Sequence, residues 1–319
     1  MASNATVIIN EGRDKLSYRE FCAAHPEMPV FFQDWYLDAV CENGFWDAVL
    51  LRGQAGEVRA VWPFFMKKKW GFRYITMPLF VKYMGPWAAA TSGAIEWPSA
   101  LEEGLPMVDA FKQNFHYAVS DTGDLGKKGY AQRLQHTFLL NIGDLDAVFR
   151  GVNRNMRRNI LKAQRAVEVL TDNDPERFYP VSTWGFRRKG LATPYSGSLF
   201  MAHDAALAKR GQRQIFFAVD AQGRTHSAAY LIWDQHSAYY HLSGDDPLLR
   251  RSGSGFLLIW EAIRYAREVL GLSVFDFEGS MLPEVAAVRR QFGAIQTNYR
   301  FVWRYRHPLL KAALRIGNR

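Results

Sequence analysis

The sequence predicts a mixed α/β (α+β) protein in two domains, and three observations carry that expectation. A regular block between Gln214 and Trp303 reads as β-β-β-α-β-α-β. A separate mixed run of helical and strand patterns precedes it, between Gln33 and Leu140. The chain has 319 residues, long for one core and comfortable for two.

In the first half, Gln33 to Asn43 has helical spacing and stops at Gly44. Trp46 to Leu51 and Glu57 to Phe65 read as strands around the turn at 52–56, followed by the basic run Lys67-Lys68-Lys69. Pro106 is placed to open a helix reaching about Asn114, and Phe115 to Ser120 and Arg133 to Leu140 read as further strands. In the second half, Asp144 is a good N-cap for a helix over Leu145 to Arg150. A longer helix follows over Asn153 to Val167, and another over Ser198 to Lys209, stopped by Gly211. Three strands come next: Ile215 to Val219, Ser227 to Trp233 and Ala238 to Ser243. The first two are joined by a tight turn with Gly223 where φ is positive. A helix over Gly253 to Leu270, a strand over Ser273 to Glu278, a helix over Pro283 to Gln291 and a strand over Ile295 to Trp303 complete the block.

Composition narrows the class. Hydrophobic residues make up 48% and charged residues 22% of the sequence, as in globular domains. Ten tryptophans build cores or line clefts, and for any one of them the core is the default. The net charge of +9 favours phosphate-bearing partners: nucleotides, coenzyme A, tRNA, lipid-linked precursors or an anionic membrane face. Cys22 and Cys41 have no ligand or framework spacing and the eight histidines form no metal-binding cluster, so no metal and a reducing cytoplasm are expected. No basic segment followed by an apolar run opens the chain, and no apolar stretch is long enough to span a bilayer.

Three clusters carry candidate chemistry. Arg250-Arg251-Ser252-Gly253-Ser254-Gly255 leads into a helix, where unpaired N–H groups and the positive dipole end favour a pyrophosphate. The bland alternative is a glycine-rich turn with an Arg pair facing water. Arg154, Arg158, Lys162 and Arg165 form one helical stripe whose self-repulsion an anion would relieve; otherwise it is a solvated face. In Ser273 to Glu278 the period of two puts Asp276 and Glu278 on one strand face, where an apolar residue is normal. Two such carboxylates act as a base and its partner, or else form a structural pair, Asp276 with Arg289 or Arg290 and Glu278 capping the next turn.

Arg250-x-x-Gly253-x-Gly255 between a strand and a helix, then a strand and Val288-Arg289-Arg290-Gln291-Phe292-Gly293-Ala294, resembles the core of the GNAT acyltransferase superfamily. Asn153 to Ala163 is similar to the "R-x-N-I-x-K-A" helix of its BioF2-like and CelD-type acetyltransferase branch, related to the Fem peptidyltransferases FemA, FemB and FemX. The resemblance covers most of the chain and is specific from Asn153 to Arg304. It implies two tandem GNAT-like domains, each a mixed central sheet flanked by helices, with the acceptor between them. Their expected bounds are 1–140, completed by the tail 305–319, and 141–304. It implies transfer of an acyl or aminoacyl group from acyl-CoA (acetyl-CoA) or aminoacyl-tRNA to an amine, on a small or lipid-linked anionic acceptor such as a peptidoglycan precursor, peripheral to the inner membrane face. The 170–198 stretch leaves no room for the coiled-coil arm of FemA, and the first domain lacks a phosphate motif, so one donor site is expected. On this resemblance Glu278 or Asp276 is the base, and Arg250, Arg251, Ser252, Gly253, Ser254 and Gly255 take the donor phosphates. Arg154, Arg158 and Lys162 face an anionic acceptor or tRNA, and Tyr83, Tyr195 and Tyr240 are cleft candidates. A non-catalytic module that binds an anionic ligand is the alternative; a nucleic-acid-binding protein would want aromatic and basic residues interleaved on one sheet face, and none is found.

Overall fold

The computed structural model describes residues 6–8, 14–89, 97–188, 190–279 and 282–306. They form two compact units, with boundaries between Gln135 and His136 and between Thr297 and Asn298. Both boundaries fall inside strands, the first in Ala131–Asn141 and the second in Ile295–Tyr305. The expectation for the tail falls largely on 307–319, and that for the chain's first ten residues largely on 1–5, 9 and 10, all outside the described residues.

The first unit contains β1 (Thr6–Ile8), α1 (Asp14–Ala24), α2 (Asp34–Val40), β2 (Phe45–Arg52), β3 (Val58–Lys69), β4 (Phe72–Thr76), β5 (Trp87–Ala88), α3 (Trp97–Glu103) and β6 (Ala110–Asn114). β7 (Ala131–Asn141) leaves it, and β13 (Ile295–Tyr305) returns to it. The strand order is β1-β2-β3-β4-β6-β13, with β4 and β6 parallel and the other pairs antiparallel. Alternation along β3 sends Ala60, Trp62, Phe64 and Met66 into one core with Leu101 of α3. The Trp62 Nε1–H donates to Gln113 Oε1 at 2.7 Å, and Gln113 Nε2 to the Pro63 carbonyl at 3.1 Å, so the buried amide is satisfied.

Three expectations fail in this unit. The helix precedes Pro106, at Trp97–Glu103, and the residues thought helical up to Asn114 form β6. β6 pairs with β4 on one side and β13 on the other, which buries Ala110, Phe111 and Gln113 along an extended segment. Phe115 to Ser120 is not a strand; it turns, with the Val119 N–H donating to the His116 carbonyl. The basic run extends β3 rather than following it.

The second unit holds α4 (Leu145–Gly151), α5 (Arg154–Ala163), β8 (Glu168–Leu170), α6 (Pro175–Arg188), α7 (Gly197–Arg210), β9 (Arg213–Val219), β10 (Thr225–Trp233), β11 (Ser237–Asp245), α8 (Ser254–Glu268), β12 (Val274–Asp276) and α9 (Pro283–Gln291). Its strand order is β7-β12-β11-β10-β9-β8, and only β11 and β12 are parallel. Asp144 caps α4 by accepting the Ala147 N–H at 2.9 Å, and Asn153 caps α5 through the Asn155 N–H at 2.9 Å. α5 stops at Ala163, so Arg165 falls in the turn after it. α6 was not foreseen.

One sheet face of this unit, with Ala229, Leu231, Ala238, Tyr240 and Phe275, packs with Met156 and Ile160 of α5 and Leu257, Leu258 and Ile263 of α8. On the other face Tyr230 of β10 meets Phe178 of α6 and Phe200 of α7. The sheet is thus mixed and covered on both sides.

Candidate active site

Two neighbouring strands of the second unit part company. β11 and β12 pair from Ser237 with Val274 to Tyr239 with Asp276, and no further. β11 continues along β10 to Asp245, while the Phe277 N–H turns to the Phe138 carbonyl of β7 at 3.0 Å. A gap opens between Tyr240–His241 on one side and Phe277–Glu278 on the other. Parallel strands that diverge expose backbone groups at their open end, where α/β sheets take ligands.

On the face covered by α6 and α7, His241 Nδ1 lies 2.6 Å from Glu278 Oε1 across this gap. Both side chains are largely buried, at 2% and 15% exposure. The ring of His203, on α7, lies against His241 with centroids 5.1 Å apart. Burial, with His241 beside it, pushes the His203 pKa well down, which keeps it neutral.

The two acids do not share one strand face as expected, because β12 ends at Asp276 and Glu278 has a left-handed backbone with φ 55°. A non-glycine residue there is strained by about 1 kcal/mol or more. The strain is held by Asp276, fully buried, whose Oδ1 accepts the Glu278 N–H at 2.7 Å and the Thr137 hydroxyl. Asp276 thereby fixes the turn that presents Glu278.

On the opposite face, the Arg289 guanidinium of α9 sits over Tyr240 at 5.1 Å and Phe277 at 4.8 Å, the two residues flanking the gap. Its Nε is buried without a hydrogen-bond partner, and among the described residues no acid pairs with it. Burial lowers its pKa. Burial raises that of Tyr240, with the Arg289 charge opposing. A buried cation without a counterion is costly and calls for an anion or a developing negative charge.

The glycine-rich turn lies at the far end of β11. Arg250–Ser252 form a 3₁₀ turn, and Gly253, with φ 83°, caps the fifteen-residue α8. A side chain at Gly253 would meet the Asn159 carbonyl of α5 at 3.0 Å, and one at Gly255 would meet Asp245 Oδ1 at 2.7 Å. Ser254 is buried, its Oγ 2.6 Å from Ser227 Oγ, which in turn donates to Asp245 Oδ1 at 2.6 Å. Ser252 Oγ donates to Ser254 Oγ at 3.0 Å. Desolvation pushes the Asp245 carboxyl up, with Ser227, Arg250 and Arg188 opposing. The turn fits a phosphate-bearing donor in its helix terminus, glycines and flanking arginines, while Asp245 is a negative charge beside it.

The basic stripe reaches this turn. Lys162 Nζ donates to the Arg251 carbonyl at 3.2 Å, and Arg154 and Arg158 continue the exposed row along α5. The stripe and the turn are therefore one cationic surface. Tyr195 lies between α6 and α7, 8% exposed, its hydroxyl donating to Ser182 Oγ at 3.0 Å. Tyr83 belongs to the first unit, where it is fully buried against His116 and Tyr299. Both occupy packing positions. The sequence alone points to none of His241, His203, Asp245 and Thr137, and it offers Arg289 only as an alternative, with Arg290, as a structural partner of Asp276. Among the described residues no cluster of His, Cys, Asp and Glu could hold a metal, and no helix is long and apolar enough to cross a membrane.

Residues 150–283 match the family model described as an acetyltransferase (GNAT) domain. The chain superimposes on the crystal structure of FemX with a TM-score of 0.67 at 14% identity, covering 96% of this chain and 99% of that one. It superimposes on a tandem GNAT protein from the clavulanic acid biosynthesis pathway with a TM-score of 0.56 at 12% identity, covering 95% and 98%. The C-terminal domain of a putative lysylphosphatidylglycerol synthetase from Agrobacterium fabrum gives 0.56 at 10% identity, covering 97% and 96%. No curated protein matches the chain in sequence. Residues 150–283 are thus similar to a GNAT acetyltransferase domain, and the fold of the chain is similar to that of FemX and of the tandem GNAT protein.

Proposed function

We propose that the chain transfers an acyl or aminoacyl group to an amine, and that Glu278 takes the proton of that amine. The carrying observation is the Glu278–His241 pair bridging the gap between β11 and β12. Glu278 gives one carboxylate oxygen to His241, which leaves Oε2 for the attacking amine. The amine nitrogen bonds to the donor carbonyl, its proton passes to Glu278, and the tetrahedral oxyanion collapses to expel the donor's leaving group. Backbone N–H groups at the parted strands and the Arg289 guanidinium face the negative charge that develops.

Arg250, Arg251 and the Gly253–Gly255 turn, extended by Lys162, Arg158 and Arg154, hold the donor's phosphates. Acyl-CoA and aminoacyl-tRNA both present phosphates there, and both remain candidate donors. The name of the lysylphosphatidylglycerol synthetase domain supports an acceptor attached to a lipid, and the resemblance of Asn153–Ala163 to the Fem-related branch extends this to a cell-envelope precursor on the cytoplasmic side. Domain bounds of 1–140 and 141–304 are part of the same reading.

The test is native mass spectrometry of the purified protein for retained coenzyme A, beside melting curves with acetyl-CoA and with aminoacyl-tRNA. One donor should raise the midpoint and support turnover on an amine. A protein that neither donor stabilises, and that turns over neither, overturns the reading.

A further inference from the structure

The β3–β4 hairpin of the first unit ends in Lys69-Trp70-Gly71-Phe72. Trp70 and Gly71 have φ values of 52° and 82°, two successive left-handed residues. Such turns favour Asn or Gly at the first position, so a tryptophan there works against the local backbone. Its side chain is also 85% exposed, at the tip of the hairpin. Beside it lies a cavity of about 260 Å³ whose lining includes Lys69, Trp70, Phe72, Tyr74, Ile75 and Lys112.

The same tip concentrates positive charge. Register places Lys67 opposite Tyr74, Lys68 opposite Arg73 and Lys69 opposite Phe72. Like charges directly across a hairpin repel. Among the described residues no acid pairs with Lys67, Lys68, Lys69, Arg73 or Lys112; the nearby Asp109 accepts the Arg73 backbone N–H at 2.8 Å. Lys69 Nζ lies over the Trp70 ring at 4.5 Å. Left-handed backbone, exposed indole and crowded cations all weaken the isolated fold. One environment compensates the exposed ring and the crowded cations together, an anionic surface with an apolar layer beneath it, and so gives a reason for a tryptophan at a left-handed position.

We propose that this hairpin docks on an anionic lipid bilayer, with the Trp70 indole in the headgroup layer and Lys67, Lys68, Lys69, Arg73 and Lys112 against lipid phosphates. A single protruding ring beside a cavity suits an interface better than a nucleic-acid strand, which wants several rings in a row along a groove.

The experiment is co-sedimentation of the full chain with vesicles of phosphatidylcholine alone and of phosphatidylcholine mixed with phosphatidylglycerol, across a salt series. Binding should require phosphatidylglycerol and weaken with salt. Trp70→Asn suits the left-handed backbone, so it removes the ring without unfolding the turn, and it should lower vesicle affinity about tenfold at an unchanged melting midpoint. Lys68→Gln and Lys69→Gln should each lower it about fivefold and flatten the salt response. The pair Arg158→Gln and Lys162→Gln, on the other basic surface, should leave vesicle binding unchanged. Absence of binding to the mixed vesicles overturns the proposal. So does binding that survives Trp70→Asn, or a Trp70→Asn protein that loses affinity for single-stranded RNA and keeps it for vesicles.

Discussion

His241 Nδ1 and Glu278 Oε1 meet at 2.6 Å across a gap that the sheet's own hydrogen bonding has opened. His241 is carried by the middle of β11 and Glu278 by the turn after β12, so the pair reports on the parting of the strands as well as on chemistry. Glu278→Gln keeps the shape and removes the base. It should lower kcat by roughly two to four orders of magnitude and leave the melting midpoint nearly unchanged. Activity should return in part at high pH, where more of the acceptor amine is already neutral. A steady-state pH–rate profile beside a melting curve checks this, and full activity in the variant removes Glu278 from the mechanism.

Asp276 is expected to behave differently. Its carboxylate holds the Glu278 N–H and the Thr137 hydroxyl in a fully buried setting. Asp276→Asn should cost roughly 1–3 kcal/mol of stability. Chemical denaturation measures that loss. An Asn variant as stable as the parent and as inactive as Glu278→Gln would move Asp276 from anchor to chemistry.

The donor turn gives two opposite expectations. Gly253→Asp adds a side chain against the Asn159 carbonyl and a negative charge at the helix start, and should abolish donor binding. Asp245→Asn removes the negative charge beside Gly255, and should tighten donor binding several-fold. Isothermal titration with the stabilising donor distinguishes them. Equal affinity in both variants places the phosphates elsewhere.

Arg289 should trade activity against stability. Replacing the buried, unpartnered guanidinium with methionine removes a desolvated charge while keeping contact with Tyr240 and Phe277. The melting midpoint of Arg289→Met should hold or rise while kcat falls. A midpoint that drops sharply at unchanged kcat would make Arg289 a packing residue.

Acid stability follows from His116, which burial pushes down from 6.5 to about 4. Its Nδ1 accepts the Ala118 N–H at 3.2 Å, which also requires that nitrogen to be unprotonated. Because the unfolded chain binds this proton more readily, stability is full above about pH 6.5 and is lost as the pH falls towards 4. His203 shifts in the same direction. His116→Gln should reduce the pH slope of unfolding free energy in that window by about one proton, measured by denaturant titration at successive pH values.

The second unit was legible where local chemistry and tertiary role agree. The meander from β9 to β11, the cap at Asp144, the left-handed Gly223 and the stop at Gly211 all follow from single-segment rules. α6 was hidden because Pro180 and Gly185 interrupt a segment that packing nevertheless holds helical. The strand β6 was hidden behind Pro106, a residue equally at home before a helix and in a loop. In the site, alternation pointed to Glu278 but could not show that its backbone turns left-handed. His241 carries no signal of its own in the sequence; its place beside Glu278 arises only when β11 and the end of β12 are brought together.

The strand β13 also sets an order of events on the ribosome. Residues 301–305 pair with 110–114, so the first unit's sheet receives its last strand only after the whole second unit has been made. Roughly 190 residues separate the two partners, and at about 5–20 residues per second that is on the order of 10–40 s of translation. Throughout that interval β6 offers an open edge to any passing strand. Lys112, in the middle of it, is the kind of charge that discourages such pairing while the nascent chain waits for its final partner.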